Sequence, residues 1–158
     1  MHQAHGHRHG GSLNRVAAAA TLHCLTGCAI GEVLGMVIGA AAGLGDAVTI
    51  ALSVLLAFVF GYSLTMLPLL RDGLPFRSAL PLALASDTFS IAVMEIVDNT
   101  VMLLVPGALD AGLDEILFWA SLAFSLVVAG AAAFPVNRWL ILRGKGHAVV
   151  HAYHGHAH

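Results

Sequence analysis

The chain has 158 residues, of which 58% are hydrophobic and only 10% charged, and its formal net charge is −2 with histidine neutral. Soluble domains carry about a quarter charged residues, so this composition and a mean hydropathy of +0.85 exclude a soluble enzyme and a disordered chain, and the lack of a basic face excludes nucleic-acid binding. Two Cys are too few for a secreted disulfide scaffold, and ten His against two Trp and two Tyr is the unusual count.

Residues 1–14 read as a His-rich tail, in which small residues separate His5, His7 and His9. Short tracts of this kind bind borderline metals such as zinc, nickel or copper; the plain alternative is a solvated tail.

A first membrane-spanning helix is expected over 15–44, where the only charge between Val16 and Gly45 is Glu32. Gly27, Gly31, Gly35, Gly39 and Gly43 recur every four residues. In lipid, small residues at that spacing let helices approach closely, here within the chain or at an interface between copies. A second four-residue row, Cys24, Cys28, Glu32 and Met36, lies beside the glycine row, since each step of four turns the helix by about 40° beyond a full turn; His23 heads the glycine row, next to Cys24. Thiols one turn apart face the same way and share a soft ion more readily than they form a disulfide, because helical backbone holds their Cβ atoms too far apart. The alternative is that both Cys are small buried hydrophobes. Leu25-Thr26-Gly27-Cys28 resembles a lipoprotein cleavage box, but His23 and Cys24 interrupt the apolar segment before it, and no polar tether follows Cys28.

The second helix, 47–70, holds no charge, and its Ser53, Tyr62, Ser63, Thr65 and Met66 read mostly as packing. The third, 77–105, carries Asp87, Met94, Glu95, Asp98 and Met102 in a narrow sector, flanked by Ser90 and Asn99. Each intramembrane carboxylate costs about 2.5–3.5 kcal/mol on insertion scales, and such groups face the bundle interior and mark pathways. The fourth helix, 113–142, is plainer; its Ser121 and Ser125 read as packing, and Trp139 with Arg138 as an interfacial anchor. Residues 143–158 form a second His-rich tail containing His154, His156 and His158.

Short links after the first three helices make sequential helices antiparallel neighbours. All seven Lys and Arg fall in the tails, in the second link or near the end of the fourth helix, while the first and third links hold only acids. The fold class is therefore an all-α membrane protein: a four-transmembrane-helix antiparallel bundle with both termini on the cytoplasmic side. Helices one and three then run in the same direction. Counted from Arg15 and Arg77, Cys24 and Asp87, Glu32 and Glu95, and Met36 and Asp98 fall within one residue of equal depth, so the two polar stripes are expected to meet. Four intramembrane acids with no cationic side chain at mid-span must either hold protons or attract a cation. A hydrogen-bonded network of neutral acids, with Asn99, Ser90 and Tyr62 as partners, is the alternative.

The runs His23-Cys24-Leu25-Thr26-Gly27-Cys28-Ala29-Ile30-Gly31-Glu32, Asp87 through Asn99, and Phe134-Pro135-Val136-Asn137-Arg138-Trp139-Leu140 resemble a bacterial multi-pass membrane family catalogued as a domain of unknown function (DUF4396-like). The likeness spans most of 20–151. It implies an association with copper and heavy-metal genes, and no reaction.

These readings converge on a non-enzymatic protein of a bacterial inner (plasma) membrane that binds or moves a transition-metal ion, copper(I) first and zinc or nickel second. Its expected ligands are His23, Cys24, Cys28, Glu32, Asp87, Met94, Glu95 and Asp98, with tail contacts at His5, His7, His9, His154, His156 and His158. A homo-oligomer is expected, because four helices enclose little space. The rival readings are a redox or haem subunit, a non-transporting accessory subunit and a proton-coupled carrier of a small solute. Haem has one intramembrane His available, His23.

Overall fold

The computed structural model describes residues 7–144, with side chains from Ser12 onward. It consists of four helices: α1 (His7–Ala42), α2 (Asp46–Arg71), α3 (Phe76–Leu104) and α4 (Ile116–Leu142). All four are long and apolar enough to cross a membrane, so the architecture is the expected all-α bundle with antiparallel neighbours. Helix α1 begins at His7 rather than near residue 15; no proline precedes Ala17 to Ala20, and the helix runs through Gly10 and Gly11.

The links fold by local chemistry. Gly43 (φ 64°) and Gly73 (φ 89°) adopt the left-handed conformation that L side chains resist. Past each glycine the chain returns an amide to the preceding helix, from Leu44 N–H to Gly39 C=O (2.9 Å) and from Leu74 N–H to Leu69 C=O (3.0 Å). These six-to-one bonds occupy carbonyls the helix end leaves open, and they turn the chain sharply. Pro68, Pro81 and Pro135 lie within helices α2, α3 and α4, each within a few turns of an end rather than at mid-span.

Each helix buries a row made mostly of small or polar residues and turns many of its larger apolar side chains outward. In α2 the buried row is Ser53, Ala57, Gly61, Thr65 and Leu69, and in α4 it is Ser121, Ser125, Ala129, Ala133 and Asn137. Leu22, Phe89, Ile96, Phe124 and Val127 stand exposed on the outside. Lipid tails are as apolar as leucine, so burying leucine gains little here, and close backbone approach and interhelical hydrogen bonds decide what goes inside.

The glycine row is spent within the chain. A Cβ on Gly27 would lie 2.7 Å from Gly61 Cα, and one on Gly31 would lie 2.5 Å from Ala57 Cα. Gly35 and Gly39 face Ser53 and Thr49 in the same way. Helices α1 and α2 therefore form the most extensive pair in the bundle, and the row is not available as an interface between copies. Aromatic anchors mark both ends of α4. Arg143 lies over the Trp139 ring at 4.6 Å, taking the place expected of Arg138, which instead donates to Asn14 Oδ1 at 2.9 Å. Trp119 donates to the Leu113 carbonyl at 2.8 Å.

Candidate functional site

Helices α1 and α3 run in parallel, and their polar stripes face each other in the interior. Cys24, Cys28, Glu32, Asp87, Met94, Glu95 and Asp98 are all buried, none more than 5% exposed. Glu32 and Asp98 thus point inward and toward one another.

The stripe begins near the end of the bundle that holds the 72–75 link. His23 Nε2 lies 3.0 Å from Thr65 Oγ1 of α2, and Asp87 adjoins both His23 and Thr65. Ser86 Oγ lies 2.8 Å from Asp87 Oδ1 and 3.1 Å from the Ala83 carbonyl. The Cys24 thiol is 4.0 Å from Asp87 Oδ1. One turn further along α1, Cys28 Sγ is 4.0 Å from Met94 Sδ, and the Cys28 thiol adjoins the Glu95 carboxyl. Asn99 donates to the Glu95 carbonyl at 2.8 Å and reaches Glu95 Oε2 at 3.5 Å. In the next turn the carboxyls of Glu32 and Asp98 adjoin, and Ser125 of α4 closes on Asp98 Oδ1 at 2.5 Å.

The pairing departs from equal-depth counting in one respect. Cys24 meets Asp87 as the count gives, but Glu32 meets Asp98 rather than Glu95, three residues further along α3. The helices are level at the His23 end and slip past each other toward the other end. Glu95 consequently serves Cys28. Tyr62, a candidate partner for the acids, instead pairs with Thr88 at 2.8 Å at the exposed edge of the bundle and packs on Phe58.

Two helices read as packing contribute to the site. Thr65 and Ser125 complete its polar walls from α2 and α4, and Ser53 donates to the Glu32 carbonyl at 3.4 Å. Each belongs to a four-residue row of small residues, and that spacing was the available signal. Asn137 of α4 donates to Thr21 Oγ1 of α1 at 3.0 Å in the interior, a further interhelical bond outside the stripe.

Charge does not balance within this column. Every described arginine, Arg15, Arg71, Arg77, Arg138 and Arg143, is exposed, so none neutralises an interior acid. Glu32 Oε2, Glu95 Oε1 and Asp98 Oδ2 are buried without a hydroxyl, amide or backbone donor among the described residues; the carboxyls of Glu32 and Asp98 face one another, Glu95 faces the Cys28 thiol, and Ser90 lies beside Cys24. Two adjoining carboxyls in a medium of low dielectric cannot both be ionised unless a proton or a cation lies between or beside them. The Ser125 hydroxyl lies within reach of two acceptors, Asp98 Oδ1 and the Leu122 carbonyl at 2.8 Å.

The ligating groups are strung along the column in pairs rather than gathered at one point. Among the described residues no three His, Cys, Asp or Glu side chains converge as a closed metal site requires. The expected tail ligands His5, His7, His9, His154, His156 and His158 lie outside the described residues.

Four apolar helices around a buried acid column define a polytopic helical membrane protein. The chain belongs to the family described as domain of unknown function (DUF4396), whose model matches residues 13–146. That match takes in all of the column. Neither a curated protein nor a solved structure matches the chain.

Proposed function

We propose that this protein binds a transition-metal ion in the column between α1 and α3 and moves it along that column, with copper(I) the first candidate and zinc or nickel the second. The observation that carries the reading is the Cys28–Met94 pair. A metal–thiolate bond is about 2.3 Å, so two sulfurs on either side of one ion stand about 4–4.6 Å apart. Cys28 Sγ and Met94 Sδ are 4.0 Å apart and buried, on different helices. Soft thiolate and thioether ligands select copper(I), an ion content with few ligands, and a file of two-ligand stations holds such an ion loosely enough to pass it on. Glu95, Glu32 and Asp98 supply the negative charge that makes the interior hospitable to a cation, and they hold protons when none is bound. Asp87 and Cys24, beside His23, form the station at the other end of the column.

The membrane is a bacterial inner membrane on this reading, with both termini cytoplasmic, because the arginines sit at the ends of the helices that bear the termini and the 72–75 link. The tail histidines would then gather or receive the ion there. Any homo-oligomer uses a face other than the glycine row.

The test is metal analysis of purified full-length protein whose tail histidines are replaced by alanine, loaded with copper(I) or silver(I). The reading requires bound metal that Cys24→Ser/Cys28→Ser removes. Equal metal content in the two proteins rejects it. A second reading, a proton-coupled carrier of a small solute, is favoured by the adjoining buried carboxyls of Glu32 and Asp98; it would leave metal content at zero in both.

A further inference from the structure

At the end of the bundle that carries the 43–46 and 105–115 links lies a cavity of about 160 Å³. Met36, Gly39, Asp46, Thr49, Gly112 and Phe118 contribute to its wall. Phe118 is a buried member of an apolar cluster with Met102 and Leu122, and half-buried Met36 packs against it; these four form the floor of the cavity, while Leu109, Ala111 and Leu113 of the 105–115 link form the side of the cluster nearer the bundle end. Beneath that floor stand the acids. Met36 is four residues from Glu32 on α1, Met102 is four from Asp98 on α3, and Leu122 is three from Ser125, which holds Asp98. Three helices thus independently place the floor one turn, about 5.4 Å, above the Glu32–Asp98 pair.

We infer that this cavity is the aqueous mouth of the column and that Met36, Met102, Phe118 and Leu122 form a hydrophobic gate between the mouth and the Glu32–Asp98 acids. The inference deepens the metal reading and rests on it for the identity of what passes, a soft cation. The materials of the gate fit that cargo. Phe118 and Leu122 exclude water and hard hydrated ions, while the thioethers of Met36 and Met102 offer a soft ion a foothold without charge. Asp46 on the rim gives cations a preferred approach from that side. Unbranched methionine side chains move among rotamers with little cost, so the gate opens by side-chain motion without parting the helices.

The test reads access rather than metal. In the Cys24→Ser/Cys28→Ser chain, Thr49→Cys reports the cavity and Asp98→Cys reports the space below the gate. A positively charged, membrane-impermeant methanethiosulfonate is added to either face of sealed proteoliposomes of known sidedness. Thr49→Cys is expected to react from the face bearing the 43–46 and 105–115 links alone. Asp98→Cys is expected to react from the same face, at least tenfold more slowly, and Met102→Ala is expected to recover at least tenfold, whereas Met102→Leu is not. Phe118→Ala trims the same floor from α4 and replaces Met102→Ala should that variant fail to fold. An unreactive Thr49→Cys, an Asp98→Cys that reacts from the opposite face, or a rate indifferent to trimming in monodisperse protein overturns the inference. Failure of the metal reading is distinct: the labelling pattern would hold while metal analysis found nothing bound.

Discussion

Replacing Gly31 with alanine tests the premise that the column is held open by the close seating of α1 on α2. The added Cβ would lie 2.5 Å from both Ala57 Cα and the Leu56 carbonyl carbon, against 3.4–4 Å for ordinary contact. These are backbone atoms, so no rotamer change relieves the overlap, and the helices must separate by about 1 Å. A gap of that size forfeits a quarter to a half of the dispersion energy of the atoms facing it, and overpacking of this kind costs about 1–3 kcal/mol. Backbone contact puts Gly31→Ala near the top of that range, and the better helix propensity of alanine returns about 1 kcal/mol. The net expectation is a loss of about 2 kcal/mol in an unfolding titration with denaturing detergent, followed by loss of helix signal. Gly39→Ala is a graded control, because the three atoms nearest its Cβ would all belong to the Thr49 side chain; its loss should be smaller and largely reversed by Thr49→Ala. Ala57→Gly, in contrast, should not rescue Gly31→Ala, since the obstruction is main chain. Displacing α2 also carries Thr65 away from His23, now 3.0 Å distant. A Gly31→Ala protein as stable as the parent, or one rescued by Ala57→Gly, would refute the packing argument.

Two further outcomes follow from the interior chemistry. Ser125→Ala removes the hydroxyl that meets Asp98, so stability should fall by about 1–3 kcal/mol. Asp98→Asn keeps a partner for Ser125 and should be tolerated better than Ser125→Ala; the reverse order would show that this contact does not hold the helices. A soft cation entering the column must displace protons from the Cys28 thiol and from the acids, so binding should release protons and the apparent affinity for silver(I) should rise with pH. The slope is about tenfold per pH unit for each proton released, and binding that is indifferent to pH dissociates the acids from the ion.

The four spans are legible because charge is so scarce: the second and fourth are uncharged runs long enough to cross a membrane, and the first and third carry only one and three acids in runs of that length. The inward direction of Glu32, Asp87, Glu95 and Asp98 was legible for the same reason, since lipid exposure would have been costly for each. Register was not. Equal-depth counting assumes level helices along their whole length, and a slip of three residues exchanged Glu95 for Asp98 opposite Glu32 without changing which faces meet. Ser125 and Thr65 were passed over because a lone hydroxyl on an apolar helix is ordinarily bonded to its own backbone. Thr26, Ser63, Thr88 and Thr100 all do this. What separates Ser125 and Thr65 from these is membership of a row of small residues every four positions. The glycine row was legible as a packing face, but sequence alone could not say that its partner was α2 rather than a second copy.

The column's pairwise construction bears on what it can do. A closed site of three or four convergent ligands holds an ion tightly and releases it slowly, which suits storage or structure. A file of adjoining pairs gives each station modest affinity. Conduction requires that condition, binding good enough to enter and weak enough to leave. The order of the stations sharpens the point. On the proposed reading an ion from the His23 end would meet Asp87 with Cys24, then Cys28 with Met94 beside Glu95, then Glu32 with Asp98, then Met36 and Met102. Sulfur and carboxyl share the first two stations, and the third has carboxyls without sulfur. In a seam built only to fix helix packing, replacing each acid by its amide should raise stability by ending the cost of burying a carboxyl. In a transit column the same replacements leave the fold standing and stop the ion.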